Sequence, residues 1–318
     1  MSTHVIVGAG PIGTGIAARL AEEGHTVTLA SRSGVTDPPA GVIPARVDAR
    51  DGEGLTALAR GADTVVNALN PPQYHRWSRD WPPMAQALLR AAEQSGAGLI
   101  TMSNLYGYGP QEGPLTESLP LAATGVKGRI RAQMWSEALA LHHQGRIRAT
   151  ELRASDYFGA TARPGTSVLN SLVISRAARG RSVWLVGGSP DTTHSWTYLP
   201  DIVELGARLA TDERSWGRAW HVPTAEPRTM REVAADVNDL AGAGPSPIRL
   251  LPRAVRLALR AMPVIRELDE TAYQFERPFV LDSSQAEATF ALAPTPWRTA
   301  LAETIRGLAS AKEAVGAH

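Results

Sequence analysis

The 318-residue sequence contains no cysteine, so it has no disulfide framework, no thiol nucleophile and no thiolate metal site. It lacks an excess of either charge. The 32 lysines and arginines stand against 31 aspartates and glutamates, a formal charge of +1, and nothing in that balance argues for nucleic acid or an anionic membrane as partner. Long apolar runs are missing: no stretch approaches the roughly 18 uninterrupted apolar residues of a spanning helix. No basic segment followed by an apolar run precedes the first strand, so a cytoplasmic protein is the expectation. No His, Asp or Glu cluster has ligand spacing, and no metal is expected. The adjacent His142 and His143 fall near a helix C-terminus, where the dipole favours them as caps. Internal repeats and low-complexity tracts are absent as well.

What the sequence does hold is concentrated at its start. A short β-branched strand, residues 4 to 7, breaks into Gly8, Gly10, Gly13 and Gly15, and an amphipathic helix, residues 16 to 23, follows and ends at Gly24. A tight turn, a bare backbone and a close helix–strand contact at this spacing form a dinucleotide-binding fingerprint, with the pyrophosphate at the helix N-terminus. Gly8, Gly10, Pro11, Ile12 and Gly13 are therefore expected to hold a cofactor.

About twenty residues on, an NAD enzyme would place an acid on the adenosine ribose. Here the second strand, residues 25 to 30, runs into Ser31, Arg32 and Ser33. An acid repels a 2′-phosphate, whereas a guanidinium pairs with it bidentately and a serine hydroxyl donates one more bond. NADP is the expected cofactor; the plain alternative is that Arg32 is a solvated loop residue.

Strands and helices alternate through the first half. Strands are expected at 42–47, 64–69, 98–102 and 148–153, with helices at 54–60, 82–95 and 127–144. This is the pattern of βαβ units in an α/β fold, a Rossmann-type doubly wound parallel sheet. After Tyr157 the order changes: 159–166 reads as loop, 167–179 as helix, 183–186 as a short strand. Residues 196–199, the helix 200–210 and the strand 219–222 look like a return to the main sheet. Helices at 229–240 and 252–262, an extended piece at 279–281 and a helix from Trp297 complete the chain. The expected division is a dinucleotide-binding domain of residues 1–160 and 190–224, and a smaller C-terminal substrate lobe of 161–189 and 225–318. Pro38-Pro39, Pro71-Pro72 and Pro82-Pro83 mark loops.

With this order the chain resembles an extended or atypical short-chain dehydrogenase/reductase, the group that includes nucleotide-sugar epimerases and NADP-dependent reductases. The resemblance implies that Asp48 meets the adenine and that Asn67 and Ala68 pack on the adenosine side. It also places Ser103, in Met102-Ser103-Asn104-Leu105-Tyr106-Gly107, where the family has its catalytic serine. The sequence then departs from the pattern. The family's Tyr-x-x-x-Lys is replaced by a stretch without tyrosine, Thr124-Gly125-Val126-Lys127-Gly128-Arg129-Ile130-Arg131. Lys127 falls near the tyrosine position and Arg131 near the lysine position, as in the isoflavone-reductase and NmrA-like branch, in which a lysine takes over proton transfer. Arg131, one turn on along the same face, can bind ribose or phosphate.

For Lys127 to carry a proton its amine must be destabilised as a cation, which desolvation, Arg129, Arg131 and the helix N-terminus all favour. Ser103 would polarise a carbonyl or hydroxyl, or else cap its loop. Tyr106 and Tyr108 are rivals to Lys127 for the proton, and an arrangement of Ser103 with Tyr106 and Lys127 stays open. Tyr157 is expected at the nicotinamide edge or as packing in the lobe junction. His194 and Trp196, with Trp77 and Trp81 expected in the loop after the fourth strand, either rim the pocket or pack the lobe. Two functions follow: an NADP-dependent oxidoreductase or epimerase acting on a small carbonyl or hydroxyl compound, or a catalytically silent NADP-binding redox sensor of the NmrA-like sort. The partner is a small-molecule substrate, and the protein is expected to be a monomer or homodimer.

Overall fold

The computed structural model describes residues 1–71, 73–260 and 269–316. Seven strands form one sheet: β1 (Thr3–Val7), β2 (Thr26–Ser31), β3 (Val42–Arg46), β4 (Thr64–Asn67), β5 (Gly98–Asn104), β6 (Ala149–Ala154) and β10 (Ala219–His221), in the order β10-β6-β5-β4-β1-β2-β3. All neighbours pair in parallel. A parallel sheet is covered on both faces, which is why β1, β4 and β6 are buried almost throughout. This is the doubly wound α/β fold that the alternation of strands and helices implies.

One face carries α2 (Gly52–Ala59), α3 (Trp77–Ser95) and α4 (Val126–His143); the other carries α1 (Pro11–Glu22) and α6 (Leu199–Thr211). Glycines bring α1 and α6 together. A Cβ at Gly15 would lie 2.5 Å from Val203 Cγ2, and one at Gly206 would lie 2.5 Å from Ile16 Cδ1. A further core, with Phe158, Leu169, Val173, Val183, Trp196, Val233 and Trp297, lies under a π-helical turn (Leu169–Ile174), α5 (Ser175–Ala177) and α7 (Met230–Ala241). Beside it β8 (Val183–Leu185) pairs in parallel with β11 (Ile248–Leu250). A Thr229–Glu232 capping box starts α7.

Four expectations need correction. The strand β9 (Trp196–Tyr198) does not return to the main sheet; it pairs with β7 (Asp156–Phe158) in a separate two-stranded sheet. The 167–179 helix is π-helical over Leu169–Ile174. Pro82 and Pro83 do not mark a loop but lie inside α3, which begins at Trp77. As the sixth and seventh residues of α3 they lie beyond the first turn, so their missing N–H groups leave the Ser78 and Arg79 carbonyls without the usual helical bond. Burial of Trp77 and Trp81, with Trp77 Nε1 donating to the Pro71 carbonyl at 3.0 Å, holds that turn. Trp77 and Trp81 are thus helical rather than in the loop after β4. Pro72 and Met262 lie outside the described residues, and the helix expected at 252–262 is seen as Arg253–Arg260. Among the described residues no helix is long and apolar enough to cross a membrane.

Candidate active site

β1 and β4 are neighbours although three strands apart in the order of the chain, and the crevice at their carboxyl ends is the switch point where ligands bind in such sheets. Gly8 has φ +119°, and a Cβ there would lie 2.7 Å from the Ala68 carbonyl oxygen; a Cβ at Gly13 would lie 1.9 Å from the Gly8 carbonyl oxygen. The loop is therefore closed to side chains on its inner side. At Gly10 a Cβ would meet nothing within 4 Å. That is the open cradle a diphosphate needs, in front of Pro11 at the first position of α1 and Ile12 beside it. The site fits a dinucleotide.

Where β2 and β3 end, Ser31 pairs in register with Arg46. Arg32, Arg46, Asp48 and Asp51 line an open groove of ≈ 670 Å³, and Arg46 Nε donates to the Arg32 carbonyl at 3.1 Å. Arg46 was not among the sequence candidates; its signal is the cross-strand position beside Ser31. The Ser31 hydroxyl donates to the Gly34 carbonyl at 2.7 Å, so its proton is held by its own loop. Asp48 Oδ1 accepts from Arg50 N at 3.0 Å. Asn67 Oδ1 accepts from Leu69 N at 3.2 Å, shaping the turn that puts Ala68 against Gly8.

Ser103 is buried near the end of β5, level with Arg153 of β6. Tyr106 opens the single 3-10 turn that follows, with its N–H on Asn104 Oδ1 at 3.1 Å. Burial, then Tyr74 and Asp156, push the Tyr106 phenol well above its ordinary value, against a smaller opposing effect of Arg131. Tyr108 is not free to compete for the proton. Its hydroxyl accepts from Arg153 Nη1 at 2.6 Å and lies 2.7 Å from His221 Nε2, in a buried chain continued by Glu151 on Arg153 Nε at 2.6 Å.

Lys127 is only 3 % exposed, and its amine lies 3.2 Å from Glu270 Oε2. The other oxygen of Glu270 accepts from Lys127 N at 2.6 Å and from Gly128 N at 3.4 Å, capping α4 from 143 residues away. The lysine therefore faces a carboxylate as well as the neighbouring arginines. Glu270, Tyr106 and Tyr273 line a cavity of ≈ 220 Å³ beside Gly125 and Gly128.

Arg131 lies flat against α3, its guanidinium 5.0 Å from the Trp77 ring centre and 4.3 Å from that of Trp81. Nη1 donates to the Met102 carbonyl at 3.3 Å and Nη2 to Asn70 Oδ1 at 3.4 Å, while Nε is buried with no hydrogen-bond partner among the described residues. Burial lowers its pKa to about 10, which leaves it a cation at neutral pH. The two tryptophans are thus its stacking platform.

Tyr157 is half-buried and packs against the same core as Ala9, Ile12, Ala68 and Met102. His194 packs between aromatic rings, 4.2 Å from Trp196 and 4.9 Å from Phe275, and its Nε2 lies 3.0 Å from Asp156 Oδ2. Asp156, Glu270 and Arg46 are the residues that the sequence did not reveal. Apart from Arg46 they carry no local signal, because their partners lie far away in the chain.

Three solved structures show how general this framework is. The dTDP-glucose 4,6-dehydratase of Bacillus anthracis str. Ames, in complex with NAD, superposes with a TM-score of 0.79 at 16% identity, over 98% of this chain and 98% of that one. The UDP-glucose 4-epimerase of Thermus thermophilus, in complex with NAD, gives a TM-score of 0.74 at 21% identity, over 97% and 99% of the two chains. The UDP-glucuronic acid 4-epimerase of Bacillus cereus, in complex with UDP-glucuronic acid and NAD, gives 0.77 at 17%, over 97% and 99%. At these identities the likeness is one of fold. No curated protein matches the sequence. The family model of the NAD dependent epimerase/dehydratase family matches residues 4–222, from the first strand to the last strand of the main sheet, and the chain belongs to that family.

Proposed function

We propose that this protein is an NADP-dependent oxidoreductase or epimerase of the atypical short-chain kind, acting on a small carbonyl or hydroxyl compound by hydride transfer, as a cytoplasmic monomer or homodimer. The observation that carries this reading is the pair of guanidiniums, Arg32 and Arg46, lining one groove at the ends of β2 and β3, with no acid among residues 31–33. Bound NADP supplies the hydride donor or acceptor. The backbone of Gly8, Gly10, Pro11, Ile12 and Gly13 holds the diphosphate. Arg32 and Arg46 take the 2′-phosphate, and Asp48, Asn67 and Ala68 bound the adenosine. Arg131 and Tyr157 lie toward the nicotinamide ribose.

Ser103 orients the substrate oxygen and Lys127 holds the proton that this oxygen gains or loses. Glu270 fixes the amine in place. Tyr106 is the weaker candidate, because a phenol pushed so far up gives up its proton reluctantly. Following NADPH oxidation against a panel of small aldehydes, ketones and quinones tests the oxidoreductase form of the proposal, and inversion at the carbinol carbon of the matching alcohols tests the epimerase form, which returns its hydride and shows no net oxidation; turnover of at least one compound is the expected result. The Lys127–Glu270 pair also gives weight to a second reading, the silent NADP-binding sensor, since a lysine tied to a carboxylate is poorly placed to exchange protons. Tight NADP binding with no turnover of any compound would favour that reading.

A further inference from the structure

The loop after β7 crosses from the lobe to the fingerprint. Its path is fixed at both ends. Asn170, buried in the π-helical turn, donates through Nδ2 to the Gly159 carbonyl at 2.8 Å. At the other end Thr166 donates to the Arg163 carbonyl twice, from N at 3.1 Å and from Oγ1 at 2.8 Å. Between these anchors Ala162 is buried and Arg163 is exposed. The Arg163 backbone is thus held while its side chain extends over the crevice. Nη2 donates to the Ala9 carbonyl at 2.8 Å, across 154 residues of sequence. Burial raises the Tyr157 phenol, and Thr166 and the Arg163 guanidinium oppose that rise.

Ala9 sits between Gly8 and Gly10, beside the position where a Cβ would meet only open space. Among the described residues Arg163 has no carboxylate partner; a backbone carbonyl is a weak acceptor for a guanidinium that can form two parallel bonds to a phosphate. We propose that Arg163 is a cofactor-binding residue, reaching across the crevice to close on the diphosphate of the dinucleotide and exchanging the Ala9 carbonyl for phosphate oxygens. This rests on the dinucleotide reading above and adds to it the group that covers the diphosphate from the lobe side. It also separates two kinds of arginine. Arg32 and Arg46 meet the part in which NADP differs from NAD, whereas Arg163 meets the part the two share.

The test is calorimetric titration of the full-length wild type, Arg163→Ala and Arg163→Lys with NADPH, NADH and adenosine 2′-monophosphate, a fragment without either phosphate of the diphosphate bridge. Arg163→Ala should weaken NADPH and NADH by the same factor, about tenfold or more, as expected for one lost charge-assisted bond. It should leave the fragment within about twofold, and Arg163→Lys should recover part of the loss. Unchanged NADPH affinity in Arg163→Ala would overturn the proposal, and so would an equal loss for the fragment, which would mean that the substitution disturbs the site as a whole. A wild type that binds neither dinucleotide would instead overturn the reading on which it rests.

Discussion

At the scale of single residues, the glycines and the acid–base candidates make the sharpest claims. A valine at Gly10 places its side chain where the structure has only open space, while the strand and the packing of Gly8 and Gly13 stay as they are. Gly10→Val should therefore abolish dinucleotide binding in calorimetry while the circular dichroism spectrum and melting temperature stay close to wild type. Binding that survives in the folded variant would place the cofactor elsewhere. If Lys127 holds the reacting proton, Lys127→Ala should lower kcat on a compound found by the screen by about 10² or more with little change in NADPH affinity. A larger loss in Tyr106→Phe would transfer the role to the phenol. The fingerprint was legible because its glycine spacing is local, although Gly8 itself packs against Ala68. Glu270 and Arg163 were not, since Glu270 meets Lys127 across 143 residues and Arg163 meets Ala9 across 154.

At the scale of elements, periodicity located nearly every strand of the main sheet, because parallel strands covered on both faces read as short apolar runs between helices. It failed where chemistry at an element's end outweighed pattern. The prolines hid the first turn of α3, and β9 has the look of a main-sheet strand but finds its partner in β7. The α1–α6 contact was invisible because it depends on Gly206 in a helix 190 residues beyond Ile16. A side chain at Gly206 meets Ile16 at 2.5 Å and has Leu152 behind it at 3.6 Å. Gly206→Val should then destabilise the protein by about 1–3 kcal/mol through overpacking, read as a lower midpoint in urea with an unchanged slope. An unchanged or raised midpoint would show that the two helices part easily.

At the scale of the whole molecule, the buried network under the lobe makes stability depend on pH. His221 is enclosed by Tyr108, the Asp282 carbonyl and Glu117, and burial pushes its pKa down to about 4. In the unfolded chain a histidine titrates near 6.5. Between these values the unfolded state binds more protons, so stability is full above about pH 6.5 and is lost as pH falls toward 4, by about 3 kcal/mol from this group. Buried His4 is lowered in the same direction, chiefly by desolvation. Urea midpoints between pH 7 and pH 4 should fall accordingly, and His221→Gln should flatten part of the slope; a flat wild-type profile would contradict the neutral network.

The family and fold fix the framework, whereas the proposed preference for NADP rests on the two arginines at the ends of β2 and β3. The most direct measurement is titration of the wild-type protein with NADPH and NADH under identical conditions. The account predicts NADPH binding at least about tenfold tighter, in line with one or more charge-assisted bonds to the 2′-phosphate, and a preference that narrows in Arg32→Ala and Arg46→Ala. Equal affinities, or tighter binding of NADH, would contradict it.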